Sequence, residues 1–210
     1  MPAEAHAHAG LWPWEAVKPH DVAELLRGMD APWWLTGGWG VDLFIGRQTR
    51  NHLDVDIALL RRDQHELRRH LHGWDIHYAT PDRVLEPWDG SLVELPIRRL
   101  WVRRDKGAPW TFEVLLEETR EERWAYRNLS SVSRPIAELA WVGSDDIPIL
   151  TPEVSLLYML SPTCPKMKAS FLAALPSLDP AMREWLADAL ERAHPGHPAT
   201  LLLRDASLRP

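Results

Sequence analysis

The sequence holds one cysteine, Cys164, so no disulfide can form within the chain and a reducing compartment is expected. No apolar run approaches the ~18 residues of a membrane span. The opening "MPAEAHAHAGLWPW" has no basic head followed by an apolar stretch, so no secretory leader is expected. These absences favour a cytoplasmic protein without a membrane partner. Positive charge is not in excess: the net charge is -6, which excludes the broad basic surface that nucleic-acid binding needs. There is no internal repeat. The basic residues that exist gather at "RRLWVRRDK", Arg98 to Lys106, so a phosphate-bearing small ligand stays open. Twelve tryptophans are scattered without period, which assigns them to core and cleft wall, not to a repeat.

Hydrophobic spacing gives the order of elements. "DVAELLRGM", Asp21 to Met29, has helical spacing. "WWLT" is a short strand stopped by Gly37 and Gly38, and "WGVDLFIG" is a helix ending at Gly46. "DVDIALL" is the next strand. Asp63 and Glu66 form a capping-box pattern ahead of a helix closed by Gly73. "WDIHYAT" reads as a strand, and "PDRVLEPWDG" as irregular chain or one helical turn. "LVELPIRRLWVRR" and "WTFEVLLEE" read as strands around a polar turn. "TREERWAYRNLSSVSRP" is a connection with room for one hairpin, and "IAELAWVGSDDIPIL" adds short strands. Beyond Thr151-Pro152 the spacing is helical, and Asp179-Pro180 is a helix start with a cap followed by proline. The expectation is an α/β (α+β) chain: a mixed-sheet lobe over residues 1–150 and a smaller helical lobe over 151–210.

The chemistry concentrates in "TGGWGVDLFIGRQTRNHLDVDIALL". On a strand, Asp54 and Asp56 share one face, where two like charges need a cation between them. Paired carboxylates of this kind suit magnesium, which prefers oxygen ligands and keeps part of its shell for phosphates. Gly37 and Gly38 ahead of a helix let backbone amides approach phosphate oxygens. Arg47, Arg50 and His52 add positive charge nearby. The alternative for D-x-D is a harmless solvated edge strand. A third acid completes such a site. Glu113, between Phe112 and Val114, needs a partner if buried; Glu117 shares its face and Glu94 ranks behind. Asp42 is read as a brace of Arg50 or the helix start before a ligand contact, and Trp39 as packing beside the glycine turn. His65, His70, His72 and His77 show no metal-ligand spacing.

The segment "WWLTGGWGVDLFIGRQTRNHLDVDIALL" resembles the polymerase-beta-like nucleotidyltransferases, and within them the aminoglycoside 2''-adenylyltransferase-like and lincosamide nucleotidyltransferase group. The shared features are the glycine pair, a helix bearing Asp42, Gly46, and Thr49, Arg50, His52, Asp54 and Asp56 as T-R-x-H-x-D-x-D. "WAYRNLSSVSRPI", "IPILTPEVSLLYML", "ALPSLDPAMREWLADAL" and "HPGHP" extend it. The resemblance implies a nucleotidyltransferase core in which Gly37 and Gly38 hold the triphosphate of ATP or another NTP. Asp54 and Asp56 would hold Mg2+, and Glu113 would be the third carboxylate, assisting deprotonation of the acceptor. A small-molecule hydroxyl would attack the α-phosphate in a cleft between lobes. Glu86, Asp89, Glu94 and Glu117 could line it for a cationic acceptor.

One departure stands out. The K-D-x-x-D-F run common in relatives is "KMKASF" here: Lys166 is kept, Met167 and Ser170 replace the acids, and Met159 stands where a lysine is frequent. Lys166 and Lys168 stay candidate phosphate neighbours or solvated helix lysines. The rival functions are an NTP-binding regulatory module and nucleotidylation of a protein. The sequence does not choose the acceptor, the NTP or the oligomeric state, a homodimer included.

Overall fold

Strand alternation in "DIALL" divides the molecule into two apolar layers. Ile57 and Leu59 point into one buried cluster, and Ala58 and Leu60 into the other. The computed structural model describes residues 13–82, 84–143, 146–160 and 167–205. The expectations for Cys164, Lys166 and the side chains of Met167 and Lys168 lie outside the described residues.

In chain order the elements are α1 (Pro19–Leu25), β1 (Trp33–Thr36), α2 (Gly37–Ile45), β2 (Asp56–Leu60), α3 (Gln64–His70), β3 (Asp75–Ala79), β4 (Leu85–Pro87), β5 (Arg99–Arg103) and β6 (Trp110–Arg120). Then come β7 (Arg123–Ala125), β8 (Ser133–Pro135), β9 (Ala140–Val142), β10 (Pro148–Leu150), α4 (Pro152–Met159), α5 (Met167–Ala174), α6 (Pro180–Ala193) and α7 (Ala199–Arg204). The strands form one mixed sheet in the order β4-β3-β5-β6-β2-β1-β10-β9, and β7 joins β6 to β8. β2 pairs parallel with β6, and β1 with β10; the other pairings are antiparallel. This is the mixed α/β architecture expected, with helices on both faces.

One layer packs Val22 and Leu26 at α1 and Leu67 of α3 against Ile57, Leu59, Leu100, Val114 and Leu116. The other packs α4, α5 and α6 against Trp34, Ala58, Leu60, Trp124 and Leu150, so its apolar contacts run across residue 150. α4 is buried nearly all round, with Val154, Leu156 and Leu157 inaccessible. A helix apolar on every side requires that placement, and each such side chain contributes about 1.5–3 kcal/mol by burial.

Several local expectations are corrected. α1 starts earlier than Asp21, because Pro19 opens the helix and the Lys18 amide donates to Asp21 Oδ2 at 2.7 Å. The capping box at Asp63 and Glu66 does not form. A 3-10 turn over Arg61–Asp63 runs into α3, leaving Asp63 at φ -98° and ψ 7° with no side-chain cap bond; an N-cap needs extended backbone. "LEP" of the supposedly irregular "PDRVLEPWDG" pairs with β3 as β4. The strand expected from Leu92 begins only at Arg99. The Asp179 start holds as expected, its carboxylate accepting from the Met182 amide at 2.8 Å.

Candidate active site

β1 runs directly into α2, and Thr36 is the last strand residue and the helix N-cap at once. The antiparallel register sets Thr36 opposite Asp56. Gly37 therefore stands against the Asp56 carboxylate. It has φ 63°, and a Cβ there would lie 2.9 Å from Asp56 Cγ and closer still to an oxygen. At Gly38 a Cβ would meet Arg50 Nη2 at 2.6 Å and overlap the His52 ring. Only glycine fits at either position. The turn thus exposes backbone amides at the positive end of a nine-residue helix, beside the carboxylates.

The loop after α2 is pinned by Asp42. Gly46 closes the helix at φ 78°, and Asp42, buried at 3% exposure, accepts from the Thr49 amide at 3.0 Å, from Thr49 Oγ1, and from His52 at 2.6 Å. Asp42 is a brace as expected, but the residues it holds are Thr49 and His52, where Arg50 or the helix start was expected. Trp39 lies against the His52 ring at 4.6 Å, and the Lys18 ammonium sits 4.8 Å over Trp39. Burial pushes the His52 pKa below its ordinary value; the Asp42 hydrogen bond works against this, and Arg50 adds to it. A neutral imidazole donates Nε2–H to Asp42, which makes His52 a strut of the loop. Arg47 and Arg50 are exposed on that loop, Arg50 with Nη1 donating to the Asn51 carbonyl at 3.1 Å.

Asp54 is not on the strand. It lies in a bend before β2, and Leu53 beside it is 65% exposed, outside the core where the apolar run placed it. The bend still delivers the carboxylate to the same place. Ligand atoms of Asp54, Asp56 and Glu113 all lie within 4.8 Å of one another. Glu113 arrives from β6, whose parallel pairing sets it opposite Asp56. Its Oε1 accepts from Trp101 Nε1 at 2.9 Å and from Arg99 Nη1 at 3.1 Å, and Oε2 from the same Arg99 nitrogen at 3.3 Å. Burial raises the Asp54 pKa, with the Glu113 charge adding to it and Arg50 and Arg99 opposing. Asp56 is pushed well above the ordinary carboxylate value by burial and then by its two acidic neighbours. Three oxygen donors whose mutual repulsion Arg99 only partly relieves fit a hard divalent cation such as Mg2+.

Glu117 sits apart from this group. It is buried and accepts from Trp124 Nε1 at 2.7 Å and from the Tyr158 hydroxyl; burial raises its pKa against the pull of those bonds. Its carboxylate is thereby committed to the core and does not line a cleft. Glu94 is exposed in a loop, and Glu86, bonded by Tyr78 at 2.6 Å, lies on the sheet-edge strand β4 away from β2 and β6. Arg99 and Trp101 were not foreseen. The need of Glu113 for a partner is legible in "TFEVL", but the partner's identity depends on the β5–β6 register, which sets Trp101 opposite Glu113.

The family described as aminoglycoside-2''-adenylyltransferase matches residues 19–87. A lincosamide resistance protein of Staphylococcus haemolyticus is 47% identical over 36 residues, which are 17% of this chain and 22% of that protein, so the match spans about a fifth of the relative's length. The crystal structure of ANT(2'')-Ia in complex with adenylyl-2''-tobramycin superposes with TM-score 0.52 at 18% identity, covering 82% of this chain and 95% of that one. A solution structure of ANT(2'')-Ia gives TM-score 0.53 at 18% identity over 82% and 89%. The family match thus covers residues 19–87, about a third of the chain and the part that carries the glycine turn, Asp54 and Asp56, while the two solved structures share its fold. Among the described residues, no helix is long and apolar enough to cross a membrane.

Proposed function

We propose that the protein is a magnesium-dependent nucleotidyltransferase that moves a nucleoside monophosphate, AMP from ATP, onto a hydroxyl of a small molecule of the aminoglycoside or lincosamide kind. The observation that carries this reading is the convergence of Asp54, Asp56 and Glu113 beside the Gly37-Gly38 turn. Those three carboxylates would hold Mg2+, which when bound neutralises triphosphate charge and lowers the acceptor hydroxyl's pKa. The amides at Gly37 and Gly38 receive phosphate oxygens, and Arg47 and Arg50 supply charge from the loop that Asp42 and His52 hold. The acceptor oxygen forms a bond to the α-phosphorus, the bond to the bridging oxygen breaks, and pyrophosphate leaves with that electron pair while the hydroxyl proton passes to water. The acceptor would be taken from the side of the helices from residue 151 onward, the second lobe of this reading.

The test offers each NTP with Mg2+ to a panel of aminoglycosides and lincosamides and reads products by mass. Acceptor-dependent pyrophosphate release, lost in D54A and D56A, is the expected result. Full activity in either variant sinks the metal assignment. NTP binding without any transfer replaces the reading by a regulatory module, and transfer to protein alone replaces the small acceptor.

A further inference from the structure

Glu113 reaches the acid cluster from a strand otherwise devoted to the core, and what holds it there is an indole. Trp101 is 1% exposed, and its ring packs against Trp14 at 4.8 Å and Trp110 at 5.4 Å. A buried ring in contact with two other indoles has little room to turn, so packing sets its N–H direction. That N–H ends on Glu113 Oε1 at 2.9 Å, while Arg99 Nη1 straddles the carboxylate, 3.1 Å from Oε1 and 3.3 Å from Oε2. A glutamate has three side-chain torsions and, left alone at this strand position, several rotamers. The indole bond to Oε1 distinguishes the two oxygens and selects one rotamer beside Asp54 and Asp56.

We propose that Trp101 is a positioning residue for the third carboxylate: its indole N–H holds Glu113 Oε1 and so fixes the orientation in which that carboxylate meets the cation. This rests on the metal-site reading above and deepens it. Outer partners of this type typically govern metal affinity by about 10–100-fold.

The experiment is a calorimetric titration of Mn2+, without nucleotide or turnover, into wild type, E113Q, W101F and W88F. Trp88 is the packing control: it is 3% exposed and its Nε1 donates to the Ser91 carbonyl at 2.7 Å, so it touches neither Trp101 nor the acid cluster by hydrogen bond. W101F should lose affinity about tenfold or more, approaching E113Q, while W88F loses stability but keeps wild-type affinity. Equal Mn2+ affinity in W101F and wild type overturns the proposal and leaves the metal site standing. Failure of wild type to bind Mn2+ overturns both. A second readout needs no tryptophan variant. The indole N–H resonance of Trp101, assigned in the wild-type protein, should shift upfield in E113Q as the charged acceptor is lost, and should respond to Mg2+. A resonance indifferent to both changes refutes the contact even if W101F does not fold.

Discussion

Gly38 tests how tightly the glycine turn and the His52 strut are built together. A methyl group added there meets two neighbours of opposite character. Arg50 is exposed, and its guanidinium can swing aside at little cost. His52 cannot: its side chain is 2% exposed, bonded to Asp42 at 2.6 Å and backed by Trp39. Overpacking against an immobile neighbour costs about 1–3 kcal/mol, while glycine-to-alanine in a helix returns up to about 1 kcal/mol. G38A should therefore lose about 1–2 kcal/mol, or roughly 2–8 °C in Tm for a chain this long. In an H52A background the obstacle is gone, and G38A should be neutral or stabilising by up to about 1 kcal/mol. Urea denaturation of wild type, G38A, H52A and the double variant gives the coupling energy. Additivity within about 0.5 kcal/mol would refute the claim that His52 is the obstacle. G46A is a useful companion: it has φ 78° but nothing within 4 Å of the added carbon, so its cost is backbone strain alone and must not depend on His52.

Other outcomes follow from the same geometry. Asp56 has a raised folded-state pKa, so the native state binds more protons than the unfolded one above the ordinary value of 3.8, and stability from this group falls as pH rises through that window. In EDTA, D56N should thus be more stable than wild type at pH 7.5, with the gap closing on acidification; a gap that widens toward pH 4 contradicts the repulsion argument. D42N keeps the shape of Asp42 but weakens its bonds to Thr49 and His52, and should cost about 2–3 kcal/mol in denaturant melts together with most Mn2+ affinity. Y158F should cost about 1–2 kcal/mol by removing one donor to buried Glu117, yet leave Mn2+ binding unchanged, because Glu117 lies outside the acid cluster.

The elements legible in the sequence were those with a strong local signal. "WWLT" before two glycines and Asp179-Pro180 before an amphipathic run each formed as expected. Asp54 was misplaced because "LDVDIALL" keeps a period of two straight through the bend, so the pattern carries no mark of where pairing stops. Asp63 was misread for a related reason: its capping pattern is intact, but the preceding turn occupies the backbone conformation a cap requires. At the site, the acids and glycines announced themselves by type and spacing. Trp101, Arg99 and the Tyr158 contact to Glu117 did not, since each depends on strand register or on packing between segments distant along the chain.

The parallel pairing of β2 with β6 has a kinetic consequence. Asp56 and Glu113 become neighbours only when that pair closes, and the whole of β3, β4 and β5 lies in the connection between them. Closing so long a loop is entropically costly and comes after local structure has formed. The hairpin-like pairing of β1 with β2 can assemble Gly37, Asp54 and Asp56 earlier, because it spans a short segment. A refolding chain should therefore regain helix signal and the glycine turn before it regains cation affinity, so that the appearance of metal binding times the last major docking step of the sheet.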